Sequence, residues 1–319
     1  PDAPATLTSM GNLSTTLAKL GEYEEAEALD RDVAERRRAT LGGDHPRTIL
    51  ARSNLADTLM RRGRSKQALD IMREVVDRSE AVLGPEHPRT AVAWFNLATA
   101  QYYQGDFAEA ARNFRRSLEI NSDVLGPDDS ATLLSETNLA IAMRALGRLD
   151  EAETLAREAL DGYERRFGVD HPDAVRALDN LMLVVNDRGR TEEAAALARR
   201  VYESSVRLLG ETNPDTLQRL MNLSDTVSPE EGATYAREAV RLAEERLGPQ
   251  HRMTIGGKTT LAAILDDLGR ADEAEDIKRA ALADARAALG DSHPSTAQIA
   301  NNLAISLENR GEFDEAIRL

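Results

Sequence analysis

The chain has 319 residues, a hydrophobic fraction of 41%, only 4% aromatic residues and a formal charge of −15. That acidity argues against a nucleic-acid partner, because phosphate binding needs an excess of Lys and Arg along one face; a charge-driven partner would be basic. The absence of cysteine excludes disulfides, thiolate metal sites and cysteine nucleophiles, and no apolar run approaches the ~20 residues that span a bilayer.

Taken in chain order, Asp2-Ala3-Pro4-Ala5-Thr6 stands one period before Asp44-His45-Pro46-Arg47-Thr48, so the sequence opens on the tail of an earlier repeat or a cap. Asn12-Leu13-Ser14 is the first of a recurring triplet. Its asparagine returns at Asn54, Asn96, Asn138, Asn180 and Asn222, each 42 residues after the last, then after 38 residues as Thr260, and finally as Asn302. A fixed period of this length marks a stacked repeat array, in which each unit buries its apolar face against its neighbours. The expected units are 6–47, 48–89, 90–131, 132–173, 174–215, 216–253, 254–295 and an incomplete 296–319. Leu319 falls inside a second helix, and a fragment of a longer protein is the expectation.

The fourth unit displays the pattern. Leu133, Leu139, Ala140 and Met143 follow helical spacing; Gly147-Arg148 breaks the helix, and Asp150-Glu151 opens a second one with acids at its positive end. That helix buries Ala152, Leu155, Ala156, Ala159 and Leu160 and stops at Phe167-Gly168, since glycine takes the left-handed conformation past a helix end. His171-Pro172 then turns into the next unit. The inter-helix glycine recurs at Gly21, Gly63, Gly105, Gly147, Gly189, Gly269 and Gly311, and a small residue recurs from Ala26 to Ala316, with Gly232 in the sixth unit. No segment alternates with period two, so the prediction is all-α. The sixth unit has Ser228-Pro229 in place of a longer turn, a loss of four residues that predicts a first helix shorter by one turn.

Several motifs invite chemical readings that the period removes. The five histidines, His45, His87, His171, His251 and His293, fall one to a link, too far apart for a metal site, and are expected to cap helices. Gly256-Gly257-Lys258-Thr259 resembles the end of a phosphate loop, but Arg252 stands where that motif needs its first glycine and no strand precedes it; the glycines mark a candidate flexible joint. The acid pairs Glu24-Glu25, Asp150-Glu151, Glu192-Glu193 and Asp272-Glu273 recur at second-helix starts, where the helix dipole explains them. No cofactor, metal or catalytic constellation is expected.

The small–Leu–small core, the Gly-x-x-x-x-Ala step and the Leu-Gly-x-x-His-Pro-x-Thr link resemble tetratricopeptide repeats of the 42-residue kinesin-light-chain type, over essentially the whole chain. Asp129-Ser130 and Asn213 depart from the link. The resemblance implies a right-handed α-solenoid of about eight helix–turn–helix units, and a non-catalytic scaffold that binds protein or peptide in its concave groove. It places the asparagine column, Asn54, Asn96, Asn138, Asn180 and Asn222, where side-chain amides can hold an extended peptide backbone; the other reading is that these amides bond neighbouring helices.

The same carry-over puts Leu50, Met60, Val92, Phe95, Tyr102, Tyr103, Leu134 and Ile141 on the groove of the first half, unless Phe95 and Tyr102 pack between helices. Asp179, Asp187, Asp225, Asp266, Asp267 and Glu308 fall on the second half. The expected ligand has an apolar or aromatic anchor and basic residues. An alternative is self-association through the convex face or repeat ends. With arginine far outnumbering lysine, the composition fits a GC-rich, actinobacterial-type source. No stretch resembles a signal peptide, and the cytoplasm is the expected location. Long arrays of this kind resemble the sensor part of larger signalling ATPases.

Overall fold

The structure, a computed structural model, describes residues 3–319. Asp2, the acid of the opening Asp2-Ala3-Pro4 link, lies outside the described residues. Sixteen helices and no strand occur among them. One compact unit runs up to Arg166 and the second from Phe167 to Leu319. In the first unit the helix pairs are α1 (Pro4–Leu20) with α2 (Tyr23–Leu41), α3 (Pro46–Arg61) with α4 (Ser65–Leu83), α5 (Pro88–Tyr103) with α6 (Phe107–Leu125), and α7 (Ser130–Ala145) with α8 (Leu149–Phe167). In the second they are α9 (Pro172–Asp187) with α10 (Thr191–Leu209), α11 (Pro214–Thr226) with α12 (Pro229–Leu247), α13 (Arg252–Asp267) with α14 (Ala271–Leu289), and α15 (Pro294–Asn309) with the short α16 (Phe313–Ala316).

Each link builds a helix start. His45 Nδ1 accepts the Arg47 amide at 3.1 Å, and His87, His171, His251 and His293 do the same at 3.0–3.2 Å. This satisfies one of the amides a helix leaves unpaired at its N-terminus. Asp129 and Asn213 replace histidine without losing the cap, each accepting the amide two residues on at 2.9 Å. Proline at the first helical position needs no donor there and follows the cap in five of these seven links. The glycines that close both helices of a pair have positive φ, from Gly21 at +87° to Gly311 at +80°.

Paired helices approach closely at the small-residue column. Ala26, Ala68, Ala110, Ala152, Ala194 and Ala274 are fully buried. In the sixth repeat α11 has 13 residues where the other complete first helices have 16 or 17, while α12 keeps its 19. The four-residue loss thus shortens the first helix and its turn and spares the second. The approach there is tighter still: a Cβ on Gly232 would lie 2.4 Å from the Ser224 carbonyl oxygen.

The Gly256-Gly257 pair is no joint in the backbone, because α13 runs unbroken through it. Gly257 is instead a packing residue, since a Cβ there would lie 2.7 Å from Met221 Cε and 3.2 Å from Val240 Cγ2. Lys258 beside it is buried and ion-paired to Glu244 at 2.6 Å and Asp284 at 2.7 Å.

A second column binds repeats along the second helices. Their ninth residue is arginine in every repeat from Arg31 to Arg279. Arg115 reaches Glu151 at 3.4 Å, Arg199 reaches Glu231 at 2.6 Å, Arg237 reaches Glu273 at 2.8 Å and Arg279 reaches Glu315 at 2.5 Å. Glu151, Glu231, Glu273 and Glu315 therefore face an arginine of the preceding repeat as well as their own helix dipole, whereas Arg31, Arg73 and Arg157 pair with an acid of their own helix.

Candidate functional site

First helices of successive repeats touch one another, α1 with α3, α3 with α5 and, in the second unit, α11 with α13. They form one layer of each unit, and grooves open along it. In the first unit a groove of roughly 690 Å³ lies over α1, α3 and α5, with its floor on α2 and α4. Asn54 and Asn96 both border it, as do Met60 and Tyr103. In the second unit a groove of roughly 440 Å³ repeats the plan, bordered by Asn302, Asp266, Ile305 and Asn309.

The asparagine column is chemically uneven. Asn54 is exposed, borders the groove and forms no hydrogen bond within the described residues, so its donor and its acceptor are both unspent. Asn96 is half-buried and donates to Ser53 Oγ of the preceding repeat at 3.2 Å, leaving its carbonyl oxygen open. Asn138 turns inward on its own helix and donates to the Leu134 carbonyl at 2.8 Å. In the second unit Asn180 buries its Nδ2 without a partner, whereas Asn222 is exposed and accepts from Gln218 at 3.0 Å. Among the hydrogen bonds described for this column, only that of Asn96 joins a neighbouring helix, and Asn96 borders the groove as well.

The apolar positions divide similarly. Leu50 and Val92 are more than half exposed, while Leu134 and Ile141 are half-buried. Phe95 packs edge-on against the buried Phe114, with ring centroids 5.2 Å apart. Tyr102 packs against Phe107 at 5.2 Å. Tyr103 is 75% exposed and is the aromatic ring that borders the groove. Trp94 is part of the core around Leu97 and Met72.

Among the acids of the second unit, Asp266 is held by the buried Lys278 at 2.5 Å and its charge is compensated within the chain. Asp267, Asp187, Asp225 and Glu308 are exposed. Asp179 is half-buried, and burial pushes its carboxyl above the usual range with Arg219 opposing; Asp225, although its side chain is exposed, is pushed up by partial desolvation from the protein atoms around it. The pairing of Asp266 with Lys278 thus takes one of the expected acids out of the free charge of the second unit.

The floor of the grooves lies on second helices, away from the asparagine column of the first helices. The eighth residue of each second helix is Asp30, Met72, Phe114, Ala156, Ala198, Ala236 and Lys278 in turn. Five are apolar and two are charged, and that interruption of an apolar column is the signal by which Asp30 and Lys278 could have been found. Asp30 is 4% exposed, borders the first groove and accepts from Thr58 Oγ1 at 2.6 Å. No group of three or more potential metal ligands occurs among the described residues. None of the described helices is long and apolar enough to cross a membrane.

A family model described as tetratricopeptide repeat matches residues 2–81, 48–123, 128–205 and 257–319. No curated protein matches the sequence. Among solved structures, nearly identical TPR-like repeats attributed to a kinesin light chain of Podosopora anserina are 24% identical to this chain. They cover 64% of it and 96% of their own length, with a TM-score of 0.59. BtubC (BKLC) from P. vanneervenii is 18% identical over 85% of this chain and 94% of its own, with a TM-score of 0.53. A signal transduction ATPase with numerous domains and a tetratricopeptide-repeat sensor, from Pyrococcus horikoshii, is 15% identical over 88% of this chain and 42% of its own, with a TM-score of 0.68. At these identities the likeness is one of fold.

Proposed function

The chain belongs to the tetratricopeptide-repeat family, a solenoid fold that typically mediates protein interactions, and on that footing we propose that it is a non-catalytic scaffold holding an extended peptide in the groove of its first unit. The observation that carries this is the pairing of Asn54 and Asn96 on one groove with unspent hydrogen-bonding capacity. A primary amide donates and accepts at once, which matches the alternating carbonyls and amides of an extended backbone. Tyr103 and Met60 supply adjacent apolar surface, and exposed rings of this kind often anchor such contacts.

The fitting ligand has one apolar or aromatic residue and a basic one. Self-association through the convex face or the repeat ends is the competing function. An array of acetylated, amidated nonapeptides of random sequence, probed with the intact chain, tests the proposal. Capture of a peptide subset at protein concentrations where light scattering shows monomers supports it. Scattering that rises with concentration and no captured peptide would favour assembly. The cytoplasmic sensor of a signalling ATPase is the wider setting we propose. Its support is resemblance of fold, and a nucleotide-binding domain in the same gene is the observation that tests it.

A further inference from the structure

We propose that the groove of the first unit receives a lysine or arginine side chain, with Asp30 as the receptor for its cationic head. This deepens the peptide-groove reading and rests on it. Asp30 is 4% exposed, borders the groove and accepts from Thr58 Oγ1 at 2.6 Å, with the Ser14 hydroxyl as a second neutral neighbour. No Lys, Arg or His among the described residues comes within 4.0 Å of its carboxylate; the neighbouring charge is a second acid, Asp57, already committed to Arg61 at 2.9 Å. A buried carboxylate without a counter-ion is costly to keep ionised, and buried charges in proteins are normally paired.

The chain itself shows what pairing looks like at this position. In the second unit the same eighth residue of a second helix is Lys278, also buried and also on a groove floor, and there Asp266 at 2.5 Å and the Ser306 hydroxyl complete it. Where the column carries a cation, the chain provides the anion; where it carries the anion Asp30, the cation is missing. Packing does not explain the acid, since Met72, Phe114 and alanines fill the same place in the intervening repeats.

The surroundings suit a long cationic side chain. Met60 and Met72 offer apolar surface for its methylene stem, and the exposed Tyr103 ring offers a face for the charge. Lys19 also borders the groove and is the chain's own competitor for Asp30.

The test follows the methionine methyl resonances of the intact chain during titration with 1-butylguanidine, with 1-butanol as the uncharged control. The proposal expects saturable shifts at Met60 and Met72 but not at the core residue Met143, and no response to butanol. Asp30→Asn, which still accepts from Thr58, should weaken binding at least tenfold; Asp30→Glu should stay within about threefold; Lys19→Ala should tighten it. No saturable shift, an equal response to butanol, or unchanged affinity in Asp30→Asn overturns the proposal. Should Asp30→Asn lose its cooperative melt, the contrast between Met60, Met72 and Met143 in the unsubstituted chain still decides. Peptides captured without a basic residue, together with a silent butylguanidine titration, remove the cation pocket and leave the groove. Butylguanidine bound at Asp30 with no peptide captured removes the peptide reading and leaves the pocket.

Discussion

At Asp129 and Asn213 the chain abandons histidine, and the helix caps survive because any side-chain acceptor two residues before the amide will serve. His87→Asn should therefore leave stability unchanged, whereas His87→Ala should cost about 1 kcal/mol in urea unfolding. Glycines obey a sharper rule. Gly232→Ala drives a Cβ to 2.4 Å from the Ser224 carbonyl, a backbone atom that cannot turn aside, and should destabilise by about 1–3 kcal/mol. Gly256→Ala, in a helix with nothing within 4 Å of its Cβ, should stabilise by about 0.4–1 kcal/mol.

Glu136 titrates far from its usual range: burial and the neighbouring Glu158 push it up to about 8, with Arg165 opposing. The folded chain keeps a proton that the unfolded chain releases near 4.5, so this group's contribution is complete at acid pH and is lost as pH rises through 8. Glu136→Gln, always neutral, should match the parent near pH 4 and exceed its stability by roughly 1–2 kcal/mol at pH 9, a magnitude reduced because the pair is partly solvated. Thermal melts across that range check both ends.

At the scale of helices, four of the repeating arginines, Arg115, Arg199, Arg237 and Arg279, couple neighbours through exposed ion pairs. Each rung is worth little alone, about 0.2–1 kcal/mol, and should fade in high salt. Arg237→Ala, which removes the contact to Glu273, should lower stability within that range at low salt and by less at 0.5 M NaCl. The helices themselves were legible because Leu, Ala and Gly recur with helical spacing and fixed period. The helix caps were legible as chemistry, since each histidine precedes a helix start. The arginine ladder went unread although Arg115, Arg199, Arg237 and Arg279 share the 42-residue period apart from the one shortened repeat; its partners lie in the next unit, and nothing within one helix points to them.

For the molecule as a whole, the groove was only half legible. Asn54, Asn96, Met60 and Tyr103 could be placed on it from first-helix positions alone. Asp30 and Lys278 could not, because they reach the groove from second helices and matter through partners distant in sequence. Lys278 takes Asp266 out of the acidic surface, and Asp30 adds a charge to the half expected to be apolar. The two halves thereby lose the simple apolar-then-acidic grading that the family resemblance implies. Phe95 and Tyr102 likewise turned out to be ring-packed, leaving Tyr103 as the open aromatic.

That Asn54 and Asn96 hold a peptide backbone is tested most directly by calorimetric titration of an array-selected nonapeptide into the chain and into its Asn54→Ala/Asn96→Ala variant. The variant should bind at least tenfold more weakly while melting within a few degrees of the parent. Equal affinity in the two chains, or binding abolished only by substitutions on the arginine ladder, would contradict it.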